Sequence, residues 1–136
     1  MDYQTEDIRN VAFAGHAGAG KTMLVEQILA HAGAIKAPGV IEKGTTVSDW
    51  DELEKKHGHS LSSSLAGFDY RNTHINLLDT PGYPDFIGAA LSVLPAVETV
   101  AVVINAERGV ESASRRMMSW AQSQDQCRMV VEKPIG

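Results

Sequence analysis

Cysteine is almost missing from this chain: Cys127 is the single one among 136 residues. That excludes an internal disulfide and a cysteine-built zinc site. Cys127 itself, in the apolar run CRMVV, reads as a small core residue at the start of a buried strand. Aromatics are scarce at 6%, and the two tryptophans, Trp50 and Trp120, read as packing residues and not as recognition platforms. No apolar run approaches the ~18 residues of a membrane span. The opening MDYQTEDIRN is acidic and polar, so no signal peptide is expected. There is no basic excess either: the formal net charge is −5, which removes any general electrostatic reason to coat nucleic acid or an anionic membrane. His31, His57, His59 and His74 lack metal-ligand spacing. What is present, 43% apolar and 21% charged residues, is the composition of one globular domain, expected to be soluble and cytoplasmic.

Ile8 to Ala14 (IRNVAFA) predicts a strand entering a core. Met23, Leu24, Ile28 and Leu29 then recur at helical spacing, and Gly33 is placed to end that helix. Residues 34–64 show no sustained period, and a segment this long and irregular is usually functional or mobile; a short helix around Asp49 to Lys56 is expected within it. Ala66 to Tyr70 and His74 to Leu78 read as strands joined by a turn at Arg71–Thr73. Asp85 to Leu94 reads as a short helix, Thr99 to Ala106 as a buried strand, and Glu111 to Ser123 as an amphipathic helix. Met117, Met118 and Ala121 supply its apolar face, Arg115 and Arg116 its solvated one, and Met129 to Val131 begins another strand. Strands alternating with helices predict an α/β fold, a mostly parallel sheet flanked by helices.

The segment GHAGAGKT fits Gly15-x-x-x-x-Gly20-Lys21-Thr22, with a strand before it and a helix after it. Glycines let backbone N–H groups turn inward around phosphate oxygens, and the helix N-terminus adds positive potential. Lys21 is placed to reach the terminal phosphates and the Thr22 hydroxyl to ligate Mg²⁺. The competing reading is a chance glycine-rich turn. Asp79-Thr80-Pro81-Gly82 follows the apolar INLL. It serves equally well as a plain turn. Beside a phosphate loop, Asp79 could hold the magnesium ion through water and the Gly82 N–H could meet the γ-phosphate.

Taken together, RNVAFAGH, GHAGAGKT, EKGTTVSDW (42–50), INLLDTPGY (75–83) and INAERGVE (104–111) resemble, in order and spacing, the GTP-binding domain of translational GTPases. Within these the chain is most similar to elongation factor G and its paralogues, from about Ile8 to Val131. The resemblance implies a P-loop NTPase of the Ras-like G-domain type, here C-terminally incomplete. Residues 1–136 then form a single partial GTP-binding domain, with the phosphate loop at 15–22, a first switch at about 37–64 and a second at about 79–94. By that resemblance His16, Ala17, Gly18, Ala19, Gly20, Lys21, Thr22, Asp79 and Gly82 contact GTP or GDP, and Thr22, Ser60 and Asp79 hold Mg²⁺. Lys21, Gly82 and Tyr83 stand at the hydrolytic step, and the ribosome is implied as a partner by resemblance alone. Ser60 falls where the family carries a magnesium-binding threonine; the SLSSS run around it also reads as ordinary polar loop.

Two positions depart from the family pattern. Tyr83 follows DTPG where elongation factors usually carry a histidine that positions the attacking water. A tyrosine offers a neutral hydroxyl at pH 7 in a different geometry, so slow or conditional hydrolysis is expected; the plain alternative is that Tyr83 only packs. The guanine-recognition motif Asn-Lys-x-Asp is replaced by Glu132, Lys133, Pro134 and Ile135, and only Lys133 matches. Isoleucine cannot accept the hydrogen bonds an aspartate takes from guanine, so base discrimination is expected to suffer. Three readings stay open: a GTPase, a catalytically weak or silent nucleotide-phosphate-binding module, and a remnant without nucleotide function.

Overall fold

The computed structural model describes residues 3–40, 43, 45–47, 64–82 and 87–134. The expected helix at Asp49 to Lys56, Ser60, Tyr83, Ile135 and the first residues of the helix expected from Asp85 lie outside the described residues. Eight elements are described: β1 (Ile8–Ala14), α1 (Lys21–His31), β2 (Ser64–Tyr70), β3 (Thr73–Asp79), α2 (Ile87–Val93), β4 (Thr99–Asn105), α3 (Ser112–Ser123) and β5 (Cys127–Lys133). Short 3-10 turns precede β1 and follow α2.

The strands form one sheet in the order β2-β3-β1-β4-β5. β1 runs parallel to both β3 and β4, and β5 runs parallel to β4; only β2, joined to β3 by a hairpin, is antiparallel. The hairpin turns on Arg71 and Asn72, both left-handed at φ 47° and 63°, a two-residue turn whose twist suits the flanking strands. Thr73, expected in the turn, is already in β3.

Each central strand serves both faces, because successive side chains point to opposite sides. Ala12, Ala14, Val100 and Val102 join Ala90 of α2 and Met117 and Ala121 of α3 in one core. Phe13, Ala101 and Val103 join Val25 and Leu29 of α1, with Phe68 and Leu77, in the other. This double cover is why VAFA and TVAVV read as continuous apolar runs. Gly33 ends α1 as expected. At φ 76° it lets its own N–H bond Ala30 O (3.1 Å) and the Ala34 N–H bond Leu29 O (2.9 Å), a complete left-handed cap.

One expectation is corrected at β5. Cys127 is exposed, not a core residue, and Met129 and Val130 are 49% and 56% exposed. The run is apolar, but it forms the outermost strand, with no strand on its far side among the described residues. The core stripe of α1 also differs: Lys21, Val25, Glu26 and Leu29 are its buried residues, while Met23, Leu24 and Ile28 are half-buried.

Candidate functional site: a phosphate loop closed by the end of β3

β1 and β3 lie side by side, with Phe13 opposite Asp79, so the loop after β1 and the DTPG turn after β3 leave the same end of the sheet. Thr80 fastens them, since its N–H and its hydroxyl both donate to Phe13 O (3.2 and 2.7 Å). Thr80 is fully buried, a structural role the sequence did not single out.

The loop needs its glycines. Gly15 at φ 142° passes so close to Val103 O that a Cβ would overlap it, and Gly18 and Gly20 are left-handed at 79° and 96°. Lys21, 6% exposed, folds back to donate from Nζ to Gly15 O and His16 O, each at 3.1 Å. Burial pulls its pKa below the ordinary lysine value, and the negative charge of Asp79 partly offsets this. The Thr22 hydroxyl donates to Asp79 Oδ2 at 2.5 Å. A hydroxyl and a carboxylate held together at the end of the loop are hard oxygen donors of the kind Mg²⁺ prefers. The donor set therefore fits a magnesium-bound phosphate, with Thr22 and Asp79 as the described residues that would hold the metal. Among the described residues no cluster of three or more His, Cys, Asp or Glu side chains offers an alternative metal site.

Gly82 lies against the loop. Its carbonyl accepts a hydrogen bond from the Ala17 N–H at 2.9 Å, so it presents its C=O to the loop here. A Cβ on Gly82 would stand 2.5 Å from both Ala17 N and Lys21 Nζ, so only glycine fits. The structure thus brings His16, Ala17, Gly18, Ala19, Gly20, Lys21, Thr22, Asp79 and Gly82 to one place.

Three contacts went unnoticed in the sequence. Glu26, 1% exposed on α1, accepts the N–H of Gly39 (2.7 Å) and of Val47 (2.5 Å), tying the irregular segment to the helix. Glu111, just before α3, lies 3.3 Å from His16 Nδ1. Arg108, in the turn after β4, brings its guanidinium beside Gly18. The glycine spacing marks the loop but gives no sign of these partners, which come from distant parts of the chain.

At the Gly20 end of the loop, Lys133 runs along the backbone, with Cδ 2.9 Å from where a Cβ on Gly20 would stand. Next to it opens a cavity of about 310 Å³ lined by Met23, Leu24, Gln27, Val103, Val131 and Lys133, among others. Its walls are mainly apolar side chains.

Residues 6–132 match the family model of the elongation factor Tu GTP binding domain. The chain is 41% identical over 122 residues to peptide chain release factor 3 of Nitrosomonas europaea, covering 87% of this chain and 23% of that protein. It is 40% identical over 113 residues to peptide chain release factor 3 of Gloeothece citriformis, covering 80% of this chain and 21% of the relative. It therefore spans about a fifth of the length of these relatives. A crystal structure of a Thermus thermophilus protein superposes with a TM-score of 0.88 at 38% identity, over 92% of this chain and 19% of that one. Translation elongation factor SelB of Methanococcus maripaludis, solved with the GTP analogue GppNHp, superposes at 0.69 with 20% identity, over 97% of this chain and 22% of that one. At that identity the likeness is one of fold.

Proposed function

Because the chain belongs to the elongation factor Tu GTP binding domain family, the G domain of translational GTPases, we propose that it binds GTP and GDP with Mg²⁺ and hydrolyses GTP to GDP in protein synthesis, as an elongation factor G-like GTPase. Its relatives named release factor 3 leave the class unchanged and widen the choice of factor within it. In this reading the backbone from His16 to Gly20 cradles the phosphates and Lys21 neutralises them. Thr22 and Asp79, joined by Ser60, hold the metal. Gly82 turns its N–H toward the γ-phosphate, and Tyr83 stands near the attacking water. Mg²⁺ supplies charge neutralisation across the terminal phosphates. The setting is cytoplasmic and the larger partner is the ribosome, both proposed from the family.

The observation that carries the reading is the convergence of Lys21, Thr22 and Asp79 on one loop, with Thr22 Oγ1 2.5 Å from Asp79 Oδ2. Its test is calorimetric titration of the chain with Mg·GDP and Mg·ADP, beside a Lys21→Ala variant. GDP binding that the variant loses is the expected result; no binding of either nucleotide by the native chain would overturn it.

A second reading, a phosphate-binding module that hydrolyses little, is favoured by Glu132 and Pro134 in the guanine motif and by the apolar cavity beside Gly20. Equal affinity for GDP and ADP, with no single-turnover hydrolysis in the presence of ribosomes, would select it. Restoration of hydrolysis by Tyr83→His would assign the defect to that side chain.

A further inference from the structure

The turn after β4 carries a cation to the phosphate loop. A Cβ placed on Gly18 would lie 3.8 Å from Nη1 of Arg108, so the guanidinium stands over the middle of the loop, on a segment far from it in sequence. The backbone beneath Arg108 is fixed by several hydrogen bonds. Arg108 N–H and Gly109 N–H both donate to Asn105 O (3.1 and 2.8 Å), Glu107 N–H donates to Asn105 Oδ1 (2.8 Å), and Ala106 N–H donates to Lys133 O (3.1 Å). Gly109, left-handed at φ 67°, closes the turn. Ordering the side chain on a ligand therefore costs only its own rotamer freedom, not that of the loop.

The charge is available. Of the two acids on the same connection, Glu107 and Glu111, Glu111 faces His16 at 3.3 Å, and among the described residues no carboxylate pairs with Arg108. Arg108 is exposed on the surface of a chain whose net charge is −5, so a cation beside the loop stands out against the overall field. Guanidinium is planar, always protonated, and suited to two-point hydrogen bonding with phosphate oxygens.

We infer that Arg108 is a phosphate-binding residue of this loop, contacting the polyphosphate of a bound nucleotide from the Gly18 side. This rests on the nucleotide-binding reading above and deepens it. Lys21 and Gly82 crowd one part of the loop, with the Gly82 position 2.5 Å from Lys21 Nζ, while Arg108 approaches at Gly18. Arg108 accordingly contributes to the affinity for the polyphosphate. Since it touches phosphate and not base, its effect is the same for guanine and adenine nucleotides.

The test is titration of the native chain, Arg108→Gln and Arg108→Lys with Mg·GDP, Mg·GTP and Mg·ADP at several salt concentrations, with thermal unfolding of each chain without nucleotide. The expected result is a roughly tenfold weaker binding by Arg108→Gln for every nucleotide the native chain binds, the loss of one charge-assisted contact. Partial recovery in Arg108→Lys, a shallower salt dependence and an unchanged melting temperature complete the expectation. Native-like affinity of Arg108→Gln overturns this inference while leaving the nucleotide-binding reading intact. An affinity loss matched by a lowered melting temperature in both variants makes Arg108 a structural residue and overturns it as well. Failure of the native chain to bind any nucleotide overturns both readings together.

Discussion

At the scale of single residues, the site depends on how little room is left between the DTPG turn and the phosphate loop. Gly82→Ala would set a methyl group 2.5 Å from Ala17 N and Lys21 Nζ. Overpacking of this kind costs about 1–3 kcal/mol when a packed structure must shift to absorb it. The expected outcome is a lower unfolding midpoint in urea and weaker binding of both GTP and GDP, because the groups displaced belong to the loop proposed to hold the phosphates. Calorimetry with both nucleotides checks this; native-like affinity for both would mean that the loop absorbs the methyl group without loss. Thr22 and Asp79 were legible in the sequence because a hydroxyl after Gly-Lys and an acid at a strand end have few other reasons to recur together. Arg108 was not. Nothing in AERG signals a partner on the loop after β1, since only the pairing of β1 with β4 brings the ends of those two strands together.

At the scale of elements, α1 joins the phosphate loop to the irregular segment. It begins at the loop with Lys21, and one turn later Glu26 accepts the N–H groups of Gly39 and Val47. Glu26→Ala would remove the acceptor for both half-buried N–H groups, and a hydrogen bond to a charged group is worth about 1.5–3 kcal/mol. The expected result is a destabilisation of about 2 kcal/mol, by the same reasoning, together with faster tryptic cleavage at Lys36 and Lys43. Mass spectrometry of the digest reads the cleavage; an unchanged pattern would mean that the segment is held by other contacts. A glutamate inside a helix looks like a solvated residue, and its partners are 13 and 21 positions away, so the sequence pattern hid this role. The order of strands and helices was legible, because short apolar runs and helical patterns alternate along the chain and glycines mark the breaks. The place of β5 in the sheet was not, since CRMVV records apolarity and says nothing about which strand stands outermost.

At the scale of the whole molecule, the sheet is well covered in its middle and poorly covered at β5, where Met129 and Val130 are exposed and, among the described residues, no strand pairs with the outer edge. Unpaired apolar edges template association with further strands. An antiparallel pairing of two copies centred on Val130 sets Arg128 of each opposite Glu132 of the other, a favourable charge arrangement. The 136-residue chain is expected to self-associate with rising concentration, and Val130→Lys to shift it toward monomer. Sedimentation velocity over a concentration series decides this, and identical behaviour of the two chains would free β5 of the role.

The hydrogen bond from Ala17 N–H to Gly82 O has a kinetic consequence. On the proposed reading, a phosphate oxygen arriving at that N–H would exchange one acceptor for another, and a phosphate leaving it would be replaced by a carbonyl already tethered alongside. The tethered group acts at a fixed effective concentration that no dilution of the protein lowers. Nucleotide release would then be assisted from within, and the affinity measured in solution would be a competition between the ligand and the chain's own backbone.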